Sequence, residues 1–296
     1  MTPPTATATV GATATTIRRR EWAWVLVWAL FVMALTCVPY GYALKIADGR
    51  TFGGFLWGVD EGNVYLAWLR QAGAGEVFLR NQYCLAPENP RFFNLFLQVG
   101  GRLGALCHWS PPVTFHVLRL LGGVFLLWCF YQLAAELLTP RGLAPHEGAD
   151  GGAGGEWAGA TARWAALTLA SLGSGLGWLV VLKDGWLGLR PVDVGTKWQV
   201  QPEAVTFSSL LLNGLFTVSM GLMCLVFLYA ARAVRDKDWG AVWRGGLCLL
   251  LLGNIHTYDV FPVWLALAGW GLLVVRRGAS RLFVLMAMGV PAVAWA

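Results

Sequence analysis

The chain has 296 residues, of which 57% are hydrophobic and 13% charged, and its mean hydropathy is +0.57. A soluble domain carries about 25% charged residues, so a single water-soluble globule is excluded and an all-α, polytopic membrane protein is implied. The formal net charge of +6 does not point to a nucleic-acid partner, because the basic residues fall in short clusters between apolar runs, where they act as an orientation signal.

The 17 tryptophans fit the same class, since Trp collects at membrane interfaces. Of the six cysteines, Cys37, Cys129, Cys224 and Cys248 lie within apolar runs and read as small core residues. Cys84 and Cys107 share one aqueous side, without a spacing that dictates a disulfide. No Cys/His spacing of the zinc type occurs.

Residues 1–17 are rich in Thr, Ala and Pro without periodicity and read as a disordered cytoplasmic tail. Arg18, Arg19 and Arg20 then precede an apolar run over 22–44. That run is too long for the core of a secretory signal, which makes it a first span with a cytoplasmic N-terminus in a bacterial-type inner membrane. The segment 45–112 is an extracytoplasmic loop, too polar to span yet dense in aromatics. It carries a helix from Glu61 to about Gln71, a turn-rich stretch, and a helix from Arg91 to Cys107. The second helix has Phe92, Phe93, Phe96, Val99 and Leu103 along one side and suits the membrane interface.

Further spans are expected at 113–138, 163–182, 207–233, 243–255, 260–275 and 282–296, about seven in all. A Gly-rich linker covers 139–161, and a second outer loop covers 183–206. The final run stops inside apolar sequence, which implies further spans beyond it. Counting from Arg18, every short basic cluster falls on the cytoplasmic side. Both long loops and the break at His256, Thr257, Tyr258 and Asp259 fall on the other side.

Ionisable groups near membrane depth are costly and point to function. Three patches share the outer face: Asp60 with Glu61, the 193–203 loop, and His256 with Tyr258 and Asp259. A carboxylate there acts as a general base on a hydroxyl, and Arg or Lys holds a phosphate by charge-assisted hydrogen bonds. Bland alternatives stand beside each. Asp60 also suits the N-cap of its helix, with Glu61 in the first turn. Arg70, Arg80 and Arg91 suit headgroup-facing charges, and Asp193 suits a simple pair with Lys197. Glu203 suits a first-turn acid, and residues 256–259 suit the polar tip of a helical hairpin.

The stretch from Asp60 through Tyr65 to Arg70, the segment 94–104, the surroundings of Pro202 and Glu203, and the run from Asn254 to Asp259 together resemble the GT-C superfamily of membrane glycosyltransferases. The likeness is to bacterial members of the protein-mannosyltransferase and aminoarabinose-transferase type, and it covers roughly 22–275. It implies sugar transfer from a polyprenyl-phosphate donor to an acceptor hydroxyl at the extracytoplasmic face, with inversion. Asp60 would be the base, and Glu61 would orient the acceptor or a divalent metal; no other cofactor is implied. Tyr65, Arg70, Arg119, Lys197, Glu203, His256, Tyr258 and Asp259 would contact substrate, with Arg119 and Lys197 on the phosphate. The competing class is a transporter or flippase of a lipid-linked or small polar substrate, which broken helices with charges near the bilayer midplane would favour.

Overall fold

The computed structural model describes residues 17–56, 58–84, 89–138, 154–173, 205–275 and 279–295. The N-terminal tail to residue 16, the linker over 139–153 and most of the second outer loop, including Asp193, lie outside the described residues. Among those described, the regular elements are helices, joined by one isolated antiparallel bridge between Leu79 and Phe92. The chain is all-α, and four helical segments are long and apolar enough to cross a membrane: Arg19–Ile46, Pro111–Leu138, Gly214–Arg235 and Thr257–Val275. It is built as an integral membrane protein.

Helix α1 is Arg19–Ile46, and α4 is Pro111–Leu138. Between them lie two shorter helices, α2 (Val59–Gly73) and α3 (Leu95–Leu106). Helix α5 is Gly154–Leu172, and its backbone is helical from Gly154 onward, so the expected linker ends there and the helix begins before residue 163. The apolar run over 207–233 is not one helix. It divides into α6 (Thr206–Leu212) and α7 (Gly214–Arg235), because the Asn213 side chain turns inward and accepts from Leu215 N at 3.0 Å. An asparagine that caps a new helix ends the old one.

Helix α8 is Trp239–Ile255, capped by Asp238, whose carboxylate accepts from Gly240 N at 2.7 Å. Its 17 residues reach about 25 Å, short of the roughly 30 Å hydrocarbon core. A 3₁₀ turn (Thr257–Asp259) leads into α9 (Val260–Trp270) and a π-helical turn (Gly271–Val275). The last apolar run is again divided, into α10 (Ala279–Ala287) and α11 (Val290–Trp295).

Helix α4 is the hub. It approaches α7 closely through glycine: a Cβ on Gly122 would lie 2.5 Å from Thr217 Oγ1, and one on Gly214 would lie 2.7 Å from the Leu118 carbonyl. Removing side chains lets backbones meet where no hydrophobic drive separates helix from lipid. By contrast, Trp24, Val27, Leu30 and Phe31 of α1 are exposed, as a lipid-facing stripe requires.

The charged residues sort by end. At one end Glu21 of α1 accepts from Arg163 of α5, Nε at 2.9 Å and Nη2 at 2.6 Å, and from the Tyr131 hydroxyl of α4. There too Glu136 of α4 accepts from Arg232 at 3.0 Å and from Arg235, both of α7. Arg281 lies over the Trp239 ring at 5.4 Å, so α9 and the π turn return the chain to that end. The opposite end gathers the close of α1, the helices α2 and α3, the start of α4, the α6–α7 break and the turn after α8.

Candidate functional site

The site grows from the start of α2. Gly58 occupies the capping position with φ of 62°, in the left-handed region that glycine enters freely, and no side chain caps the helix. Asp60 is therefore not the N-cap: the helix begins two residues earlier than expected, at Val59, and places Asp60 and Glu61 together in its first turn. Both are exposed, and the helix dipole favours their negative charge. The turn is anchored from below. Gly62 rests on the Phe55 ring, which a Cβ would approach to 2.6 Å, and Phe55 meets Phe115 of α4 edge-on at 5.1 Å. Just before it, the Gly54 carbonyl is 2.9 Å from His116 Nε2.

Helix α3 starts four residues later than Arg91, because Asn94 caps it, accepting from Leu97 N at 3.2 Å. Its buried face is not the expected apolar stripe. Leu97, Gln98, Gly100, Gly101 and Gly104 are buried, while Val99 is exposed. Glycine decides the geometry: a Cβ on Gly101 would lie 2.5 Å from the Leu69 carbonyl, and one on Gly104 would lie 2.3 Å from Thr114 Oγ1. Contacts advance together in α2 and α3, from Leu69 with Gly100 to Gly73 with Ala105, so the two helices cross in the same sense. Same-sense helices need a return segment, and buried amides hold it. Gln71 pairs with both backbone groups of Arg80, at 2.8 and 3.1 Å, and Gln98 donates to the Glu76 and Val77 carbonyls.

Two asparagines then tie α3 to the end of α8. Asn94 Nδ2 donates to the Ile255 carbonyl at 2.8 Å, and Leu95 N donates to Asn254 Oδ1 at 2.8 Å. This satisfies orphan groups at a helix start and a helix end simultaneously. It also fixes the next residue, His256. The imidazole packs edge-on against Phe216 of α7 at 5.7 Å and Tyr258 at 5.9 Å. Its Nδ1 is 3.0 Å from Asp259 Oδ2. That is ion-pair distance, although the two atoms are not aligned as a hydrogen bond, and Nδ1 is buried with no other partner. Tyr258 is 79% exposed. Tyr65, one turn beyond Glu61, packs on the cluster that contains Phe216, Ile255 and Val260. The Asp60–Tyr65 turn and the His256–Asp259 turn thus converge on one apolar cluster.

The remaining expected residues are elsewhere. Arg70 stands ten residues along α2 from Asp60, roughly 15 Å at 1.5 Å per residue. It borders a separate cleft of about 190 Å³ with Trp109, Pro111 and the glycines of α3. Arg119 is not near the surface; it is 2% exposed. Its Nη1 donates to Thr36 Oγ1 at 2.7 Å and the Leu210 carbonyl at 3.1 Å, its Nε to His116 Nδ1 at 3.3 Å, and its Nη2 reaches Cys37 Sγ at 3.6 Å. The guanidinium also lies over the Tyr40 ring at 4.7 Å. It joins α1, α4 and α6 through neutral partners and spends nearly all its donors on them. Lys197 and Glu203 lie outside the described residues. Cys84 and Cys107 are free thiols. Among the described residues no three His, Cys, Asp or Glu side chains converge as metal ligands.

Sequence reasoning placed Asn94 and Asn254 inside resembling stretches but gave no role to either, nor to Gln71 or Gln98. A signal existed for the first, since an Asn directly before an apolar helical run is an N-cap pattern. No protein-family model, no curated protein and no solved structure matches the chain.

Proposed function

We propose that this chain is a membrane glycosyltransferase that moves a sugar from a polyprenyl-phosphate donor to an acceptor hydroxyl at the extracytoplasmic face. Asp60 is the general base. Its carboxylate takes the hydroxyl proton as the acceptor oxygen bonds to the anomeric carbon. The bond from that carbon to the phosphate oxygen breaks, and its electron pair leaves with the lipid phosphate. One displacement inverts the anomeric centre. The observation that carries the reading is the exposed Asp60–Glu61 pair, held on an anchored helix start at the bundle end away from the paired arginines. A base must be reachable by its substrate yet fixed in place. Tyr65, Tyr258, His256 and Asp259, around one apolar cluster, supply aromatic and polar groups for a sugar carried on a lipid.

One observation favours the transporter instead. A helix interrupted at Asn213, with the buried Arg119 guanidinium on the Leu210 carbonyl before the break, has the form of a discontinuous transport helix. The two readings separate on product. Membranes carrying the protein, given radiolabelled polyprenyl-phosphate sugars, yield a new glycoside of inverted configuration under the transferase reading. Movement of intact donor across the bilayer without glycoside supports the transporter.

A further inference from the structure

We infer that His256 is the phosphate contact of this face and that Asp259 is the residue that positions it. The inference rests on the transferase reading only for the identity of the lipid; the chemistry recognised is a terminal phosphate. Such a site needs a nitrogen donor beside the Asp60–Tyr65 turn. Arg119 is buried with its donors engaged, and Arg70 stands at the far end of α2. Among the described residues, His256 reaches the cluster on which Tyr65 packs, through its ring contact with Phe216.

The ring has only one way to serve. Nδ1 is buried against the Asp259 carboxylate, so the 17% of the side chain that remains accessible lies away from that nitrogen. No hydrogen bond engages Nε2 among the described residues, and the exposed Tyr258 stands beside the ring. The Asp259 carboxylate, 3.0 Å from Nδ1, holds that edge of the ring and leaves Nε2 as the nitrogen that can donate to a ligand. A phosphate oxygen that accepts from Nε2 then lies across the ring from Asp259, so the imidazole separates the two anions. The titratable groups touching the ring are Asp259 and Tyr258; Phe216 from α7 is apolar. The asparagine tie sets the position of this corner, because the Ile255 carbonyl that Asn94 holds belongs to the residue before His256.

The test is calorimetric titration of the full chain in lipid nanodiscs with three probes: farnesyl phosphate, inorganic phosphate and farnesol. Wild type is expected to bind farnesyl phosphate more tightly than farnesol. His256→Gln weakens farnesyl phosphate by about tenfold or more, and Asp259→Asn by about threefold to tenfold, as loss of a charge-assisted bond dictates. Farnesol affinity stays unchanged in both. If His256→Gln lowers the unfolding midpoint, Asp259→Asn carries the test, since it leaves the ring in place. Inorganic phosphate binding as tightly as the lipid, with the same losses, keeps the contact and makes free phosphate its ligand. Unchanged phosphate affinity in both variants overturns the inference, as does an equal loss of farnesol affinity. Phosphate binding that needs His256, in a protein that transfers no sugar, leaves this inference standing and removes the transferase.

Discussion

Arg119 donates to Thr36 and the Leu210 carbonyl from a position only 2% exposed, whereas Asp60 lies open to its surroundings. Both are charged side chains in an apolar chain, and their neighbours separate structure from chemistry. Replacing Arg119 by Met removes two charge-assisted bonds and takes their donor from the Leu210 carbonyl, while the Thr36 hydroxyl keeps its bond to the Met33 carbonyl. The expected loss is about 2–4 kcal/mol of stability, measured by unfolding in mixed detergent micelles. Asp60→Asn leaves the unfolding transition close to wild type. An Arg119→Met protein as stable as wild type would contradict the structural role. The sequence did not reveal this role because the partners are remote. Thr36 and Leu210 stand 83 and 91 residues from Arg119, and an Arg early in an apolar run looks the same whether it faces headgroups or a buried pocket. Asp60 and Glu61 were legible, since two adjacent acids in an apolar chain stand out; the capping role failed because Gly58, with φ of 62°, starts the helix earlier.

At the scale of elements, glycine sets how α2 is carried. A Cβ at Gly101 would come within 2.6 Å of Ala72 Cβ as well as meeting the Leu69 carbonyl, and neither can yield without moving α2. Gly101→Ala is therefore expected to cost about 1–3 kcal/mol from overpacking and to lower any activity that depends on the α2 turn. Gly41→Ala, inside α1 with nothing within 4 Å of the added carbon, is expected to be neutral or stabilising by up to about 1 kcal/mol. Equal effects would contradict the close α2–α3 crossing. The existence of most helices was legible from apolar runs and turn residues. The inward face of α3 was not, because hydropathy weights Phe and Val above Gly, while close approach rewards the absence of a side chain. The break at Asn213 was legible in principle, as an Asn-Gly pair inside an apolar run, but the hydropathy of the run concealed it.

For the whole molecule, the informative feature is that the arginine–carboxylate pairs gather at one end and the candidate site at the other. Arg20 lies in the first turn of α1 at the first end, and the exposed Cys107 closes α3 at the second. In spheroplasts, a membrane-impermeant maleimide is expected to label Cys107 directly and an Arg20→Cys thiol only after permeabilisation. The reverse order would invert the orientation, and labelling of both from one side would contradict the two-ended arrangement. Composition made the membrane class and the all-α fold legible, because 13% charged residues cannot coat a soluble globule. It left open which polar groups of distant segments meet, since the bond of Asn94 to Ile255 and the contact of His256 with Phe216 are set by packing and not by any local pattern.

The decisive measurement is the rate of sugar transfer from polyprenyl-phosphate donors by Asp60→Asn against wild type, at matched expression and with matched unfolding transitions. Asp60 as base predicts a fall in turnover of about two orders of magnitude or more, with donor binding retained. Equal turnover in the two proteins would contradict it and leave Asp60 as a first-turn acid of α2.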